Sequence, residues 1–216
     1  MPAFTEIDIH LPGILLAYSV LIVGIFSPGP AVLAIIGIAL NRCRMPSVQL
    51  ASGVVSGSAF WGIAAAAGMA AILASYAYAL IVLKIAGGLY LLWLASKAFR
   101  SALKGQSTDQ ASLAAKSGTP WRMWTAGLLL HLTNPKAIMA WLATIALGVT
   151  ASSPVWVSFV IVLGGIIIST IGNLTYALVF STRPAANIYL RAKRPIEFLF
   201  AGFFGLAGLK LLMSRG

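Results

Sequence analysis

The chain has 216 residues, of which 60% are hydrophobic and only 9% are charged. Soluble domains carry about 25% charged residues, so the composition excludes an ordinary soluble protein and predicts an integral membrane protein. The formal charge of +11 does not indicate nucleic-acid binding, because the basic residues are scattered over short loops between apolar segments. The single cysteine excludes a disulfide framework and a cysteine-rich metal site.

Six apolar segments are each long enough to cross a bilayer as a helix, which takes about 20 residues. In chain order they are 11–40, 48–74, 76–96, 121–149, 155–181 and 195–213. A polar segment at about 97–120 has the composition of a solvated linker. The sequence therefore predicts one all-α integral membrane domain over residues 1–216, with six transmembrane helices in two halves, about 1–100 and 121–216.

Basic residues near the ends of the spans predict the orientation of the chain, because they are retained on the cytoplasmic side of a membrane. The larger group comprises Arg42, Arg44, Lys97, Arg100, Lys104, Lys116, Arg122, Arg183, Arg191, Lys193 and Arg194. The smaller group, on the opposite side, comprises Lys84, Lys210 and Arg215. This asymmetry places the linker in the cytoplasm and both termini outside it.

Each half breaks its first span at a small polar residue followed by proline. Residues 27–30 read Ser-Pro-Gly-Pro, and residues 134–136 read Asn-Pro-Lys. Proline removes an amide N–H and displaces the carbonyl four residues earlier, which frees polar backbone groups at membrane depth. We expect both breaks to line a cavity, where the free N–H groups of the half-helix beginning near Ala31 would suit a carboxylate. The alternative is a pair of kinks that only shape packing.

The order of these features predicts an internal repeat. Pro28 aligns with Pro135, about half the chain length away. Because each predicted half has three spans, the second half enters the membrane from the opposite side, which gives the inverted repeat common in secondary transporters. Helical rise places each break well inside a hydrocarbon core about 30 Å thick. We therefore expect the two broken first and fourth helices to meet near the midplane.

The stretches "GIFSPGPAVLAII" and "GLLLHLTNPKAIMAWLA" resemble the paired signatures of the LysE/RhtB family, and the resemblance covers essentially the whole chain. It implies a bacterial inner-membrane exporter of a small amino acid or amino-acid derivative, driven by the proton gradient. Many members carry Asn or Asp where this chain has Ala31, a departure that favours a less polar cargo. The substrate-binding positions that the resemblance implies are Ser27, Pro28, Gly29, Pro30, Ala31, Asn134, Pro135 and Lys136.

Polar residues inside the spans are the remaining candidates for function. We expect Lys136 to be the only charged residue deep in a span, where its ammonium could pair with a substrate carboxylate or serve only structure. His131 could hold a proton or simply pack. Asn173 and Tyr176 lie one turn apart on the fifth span and could line the cavity or hydrogen-bond between helices. The glycines and serines of the second span, Gly53 and Gly57 among them, predict close helix packing.

We expect no Asp or Glu inside the spans, which argues against a divalent-metal substrate, and we expect neither a metal site nor a cofactor. A passive channel is one alternative function, although two broken helices favour alternating access. An intramembrane serine hydrolase is another, with Ser27 and His131 as a conceivable dyad that lacks an orienting carboxylate. The chain is therefore predicted to be a transporter rather than an enzyme. Its expected partner is the lipid bilayer, and a homo-oligomer stays an open alternative to a monomer.

Overall fold

The structure is a computed structural model that describes residues 2–27, 29–42, 44–75, 77–104, 119–150 and 152–213. Pro28 of the first break and Cys43 lie outside the described residues, as do residues 105–118 of the predicted linker. The described residues contain helices and short connections but no strand. The predicted all-α class is confirmed.

The helices, numbered in chain order, are α1 (Pro2–Phe26), α2 (Pro30–Arg42), α3 (Arg44–Ser75), α4 (Ala77–Lys104), α5 (Pro120–Leu132), α6 (Pro135–Gly148), α7 (Val155–Val179) and α8 (Arg183–Met213). The first predicted span is thus divided into α1 and α2, and the fourth into α5 and α6. Helix α4 continues to Lys104, so the first residues of the predicted linker are helical.

Proline sets the position at which each second half-helix begins. Helix α2 begins at Pro30 and helix α6 at Pro135. Proline suits the first position of a helix, because the N–H that it lacks would have no intrahelical partner there and its φ is already helical. The same residue cannot continue the preceding helix, so the sequence enforces both interruptions.

Three helical segments among the described residues are long and apolar enough to cross a membrane: Ile7–Phe26, Arg44–Gly68 and Val155–Val179. The half-helices contribute two shorter apolar segments, Pro30–Leu40 and Pro135–Gly148. Large apolar side chains such as Val155 and Leu199 are exposed on the outside of the bundle, where lipid would surround them. The chain is a multi-pass membrane protein; the count of six spans stays a prediction.

Helix pairs from different parts of the chain hold the bundle together. Helix α4 packs most extensively against α8, and α3 against α5. The α4–α8 pair is antiparallel, because Phe99 contacts Phe198 near one end whereas Gly88 contacts Leu212 near the other. Helix α1 packs against α6 and α7. These contacts bring the α1–α2 break and the α5–α6 break into the same part of the molecule.

The structure corrects one expectation about charge. Glu197 lies in α8, inside the sixth predicted span, and its side chain is only 4% exposed. The expectation of no acidic residue in the spans was therefore wrong, and Lys136 is not the only charged residue placed there. The signal was overlooked because Glu197 follows Arg194 and Pro195 at the beginning of the span, where a carboxylate is easily assigned to the polar end.

Candidate functional site

One hydrogen bond joins the two breaks directly. The Lys136 ammonium, on the first turn of α6, donates from Nζ to the backbone carbonyl oxygen of Ser27 at 2.8 Å. Gly29 makes room for this side chain, since a Cβ atom at position 29 would lie 3.1 Å from Lys136 Nζ. The two proline-containing segments, far apart in the sequence, therefore lie against each other.

The carbonyl groups at the end of α1 are satisfied by side chains from the second half of the chain. The last carbonyls of a helix have no intrahelical partner and carry its negative dipole end. Tyr176 on α7 donates its hydroxyl to the Phe26 carbonyl at 3.2 Å, and Lys136 donates to the next carbonyl. The break thus exposes acceptors at membrane depth, and a cation and a phenol cap them.

The second break caps its own half-helix. The Asn134 side chain accepts the Lys136 backbone N–H at 3.0 Å. The Asn134 carbonyl accepts two further N–H groups of the first turn, at 2.9 and 3.3 Å. The N-terminus of α6 is therefore occupied by its own N-cap residue and has little capacity left for a ligand.

The N-terminus of α2, the half-helix after the first break, is arranged differently from that of α6. The Leu33 N–H donates to the Gly29 carbonyl at 2.9 Å. The amides of Ala31 and Val32 belong to the first turn of α2, where backbone N–H groups have no acceptor within the helix. Both residues line the cavity described next, so the positive end of the α2 dipole points toward that cavity.

A cavity lies between the two breaks. Its volume, taken as the space open to the centres of water molecules, is about 60 Å³, several times what one water molecule needs. The lining residues are Leu21, Gly24, Ile25, Ser27, Gly29, Ala31, Val32, Ser58, His131, Asn134, Lys136, Ala137, Ala140, Trp141, Ser169 and Asn173. Lys136 is the one cation among these residues, and none of them is acidic.

Helix α7 supplies the polar part of one wall. Asn173 donates from Nδ2 to the Ser169 carbonyl at 2.8 Å and to the Ser169 hydroxyl at 3.2 Å. Both residues are almost fully buried, at 4% and 1% exposed. Tyr176, one turn further along, contacts the end of α1. This face of α7 therefore runs from the cavity to the first break.

Helices α3, α5 and α6 supply the opposite side. The indole N–H of Trp141 donates to the Ser58 hydroxyl at 3.0 Å. The His131 ring lies close to Gly57, whose added Cβ would be 2.9 Å from the Cβ of His131. His131 Nδ1 is buried, and within the described part of the chain it has no hydrogen-bond partner. The histidine thus contributes its ring to the wall rather than an accessible nitrogen at that position.

Most of the predicted site residues lie at this cavity. Its lining includes Ser27, Gly29, Ala31, Asn134, Lys136, His131 and Asn173. Pro30 and Pro135 begin the half-helices without lining it, Tyr176 contacts the break beside it, and Pro28 lies outside the described residues. Their roles in binding stay predictions.

Sequence reasoning missed Ser58, Trp141 and Ser169, which line the same cavity. Ser169 could have been found, because it lies four residues before Asn173 and therefore on the same helical face. Ser58 and Trp141 form a contact between α3 and α6 that no spacing in the sequence indicates. Their pairing depends on which helices become neighbours.

Comparison with known proteins identifies the family. The model of the LysE type translocator family matches residues 22–215. The threonine efflux protein of Escherichia coli K12 is 28% identical over 198 residues, which cover 90% of this chain and 94% of the relative. The leucine efflux protein of Enterobacter sp. strain 638 is 28% identical, covering 83% of each chain.

Another relative is the uncharacterized membrane protein YahN of Escherichia coli K12, 25% identical over 94% of this chain and 90% of its own length. No solved structure matches the chain significantly. The family match spans both breaks and the cavity between them, and it excludes the enzyme alternative, because members of this family are translocators. The chain belongs to the LysE type translocator family.

Proposed function

We propose that this protein is a secondary active transporter that exports a small amino acid or amino-acid derivative from the bacterial cytoplasm. The observation that carries the proposal is the cavity between the two breaks, with Lys136 as the cation among its lining residues and without a lining carboxylate. The family match and the relatives named threonine and leucine efflux proteins support it.

The substrate carboxylate is assigned to the end of the cavity where Lys136 and the α2 N-terminus lie. The Ala31 and Val32 amides offer N–H donors there, and the ammonium offers a charge-assisted bond. Ala31 itself brings only a methyl group, and Ile25 and Leu21 also line the cavity. Such a lining favours a side chain of low polarity over a charged one.

Transport is proposed to occur by alternating access between two halves that form an inverted repeat. The Lys136–Ser27 contact supports this idea, because it joins the halves at the pair of breaks. The ammonium has three donors, so a substrate carboxylate could accept a second hydrogen bond from it and would thereby contact the junction between the halves. The proton gradient is the proposed energy source, with His131, which lines the cavity, as a residue through which protons could be coupled.

The function is tested by loading cells with dipeptides that are hydrolysed inside. Cells that produce the protein are expected to release one or a few small, weakly polar amino acids, leucine or threonine for example, faster than cells that lack it. The released amino acids are measured in the medium over time. Equal release from both kinds of cell, for every dipeptide tried, would contradict the proposed export.

The same assay separates a carrier from a channel. Each carrier molecule has a maximal turnover rate, so the efflux rate is expected to saturate as the internal amino acid accumulates. The rate is also expected to fall when the proton gradient is collapsed. A pore would instead give a rate that rises in proportion to the internal concentration. Proportional efflux that survives an uncoupler would favour the channel.

The orientation is tested by a reporter fused after Gly216. The excess of basic residues on the linker side predicts that both termini lie in the periplasm. Alkaline phosphatase at this position is therefore expected to be active, whereas green fluorescent protein is expected to be dark when exported unfolded. Because the reporters need opposite compartments, a bright fluorescent fusion with an inactive phosphatase would overturn the orientation.

A further inference from the structure

Asn173 presents an acceptor to the cavity. A backbone carbonyl can only accept a hydrogen bond, so the Asn173 atom 2.8 Å from the Ser169 carbonyl is the amide nitrogen. The second hydrogen of that nitrogen is directed to the Ser169 hydroxyl at 3.2 Å. Both donors of the amide are therefore used within α7, and Asn173 can offer a ligand only its oxygen, Oδ1.

The oxygen itself has no donor from the described part of the chain. Asn173 is 4% exposed and lines the cavity, so its oxygen is held away from bulk water. Among the described residues, the fully buried side-chain polar atoms without a partner belong to Trp61 and His131 and not to Asn173. The Asn173 oxygen is therefore open to the cavity that the residue lines, where it can accept a hydrogen bond from a ligand.

Two other cavity acceptors are less suited to a ligand. The Ser58 hydroxyl already accepts the Trp141 indole N–H. His131 Nδ1 is buried too deeply for contact with the cavity. An amino acid in this cavity would bring an ammonium group as well as a carboxylate, and no acidic side chain lines the cavity to receive it.

The position of Asn173 fits this task. Tyr176, three residues later and about 4.5 Å along the helix, reaches the Phe26 carbonyl, and Lys136 reaches the carbonyl of the next residue, Ser27. Asn173 and Lys136 thus approach the same break from different helices. Because an α-amino acid carries both charged groups on one carbon atom, a single small molecule could contact both.

We propose that Asn173, oriented by Ser169, receives the α-ammonium group of the exported amino acid and so selects α-amino acids over carboxylates that lack this group. This inference rests on the proposed function. A neutral acceptor in a site without a carboxylate binds the ammonium and still releases it, which an exporter needs at the end of each cycle. A charged partner would hold the cation more tightly.

The test compares two probes in proteoliposomes: L-leucine and 2-hydroxy-4-methylpentanoate, which has a hydroxyl in place of the ammonium. Asn173→Leu is expected to lower leucine efflux about 10-fold or more relative to efflux of the hydroxy acid, as for loss of a hydrogen bond to a charged group. In a competition measurement of binding, Asn173→Asp is expected to shift the preference further towards leucine, because a carboxylate holds the ammonium more tightly. Ser169→Ala removes only the 3.2 Å bond to the hydroxyl and keeps the 2.8 Å bond to the backbone carbonyl, so it is expected to lower the ratio of leucine to hydroxy-acid efflux less than Asn173→Leu does.

The ratio of leucine efflux to hydroxy-acid efflux within one variant separates substrate recognition from folding, because a misfolded fraction lowers both efflux rates equally. An unchanged efflux ratio in Asn173→Leu and an unchanged binding preference in Asn173→Asp, with wild-type protein exporting leucine, would overturn the assignment of Asn173 alone. If the wild type exports no amino acid from loaded cells or vesicles, the proposed function fails and this assignment fails with it.

Discussion

Lys136→Met is expected to lower amino-acid efflux at least about 100-fold while the protein still inserts into the membrane. Methionine matches the lysine stem as far as Cε but lacks the ammonium, which leaves the Ser27 carbonyl without the donor now 2.8 Å away. It also removes the cation of the cavity lining. The loss of one charge-assisted hydrogen bond to a substrate and one to the break together accounts for a change of this size.

The decisive comparison is between leucine and leucinamide, which lacks the carboxylate. If Lys136 binds the substrate carboxylate, Lys136→Met loses efflux of leucine far more than efflux of leucinamide. If it serves only the Ser27 carbonyl, both fall together. Wild-type leucine efflux by the methionine variant would remove Lys136 from the site altogether.

Two further variants control this experiment. Lys210→Met removes a cation that is exposed in the last turn of α8 and is not among the cavity-lining residues. It is expected to leave efflux near the wild-type rate, since an exposed charge contributes little. Lys136→Arg keeps the charge but enlarges a head group that already lies against position 29, so intermediate efflux is expected.

The sequence predicted the break-bearing helices well, because proline acts locally. Pro30 and Pro135 each fix the first residue of a half-helix wherever the chain places them. Asn134 was equally visible, since an N-cap depends on residues directly following it. These features need no knowledge of the neighbouring helices, and the cavity lining includes Asn134 as expected.

The features that the sequence could not predict are contacts between helices, because these contacts depend on which helices become neighbours. The capping of Phe26 by Tyr176 joins residues 150 positions apart, and the Trp141–Ser58 bond joins residues 83 positions apart. A helical period shows which residues share a face but not which helix that face meets. Glu197 was missed for a different reason, because it lies at the beginning of the sixth predicted span, where a carboxylate is expected to be solvated, whereas its side chain is only 4% exposed.

The sequence predicted close packing of the second span, and the structure shows that this packing lies between α3 and α5. Small residues in the second span predict close helix packing, and Gly53 and Gly127 form that packing reciprocally. A Cβ atom on Gly53 would overlap the Trp124 carbonyl oxygen, and one on Gly127 would overlap the Leu50 carbonyl oxygen. Each glycine therefore lies against the backbone of the other helix, which cannot move aside as a side chain can.

Gly127→Ala is accordingly expected to destabilise the protein by about 1–3 kcal/mol, as for other overpacked interiors. The helices must separate to admit the methyl group, and they carry Ser58 and His131 on the cavity wall, so efflux is expected to fall as well. In detergent, the midpoint of thermal unfolding should decrease by roughly 5 °C. Gly53→Ala is expected to lower the unfolding midpoint to a similar extent.

Gly68→Ala and Gly202→Ala are the matched controls, because a Cβ at either position meets nothing within 4 Å. Alanine has the higher helix propensity, so these variants should be as stable as the wild type or slightly more stable. All four substitutions add the same methyl group to a helix, so a difference between their unfolding midpoints reports helix packing rather than helix propensity. Equal unfolding midpoints for the Gly127 and Gly68 variants would show that α3 and α5 are further apart than described, and the cavity wall that they form would then be wrong.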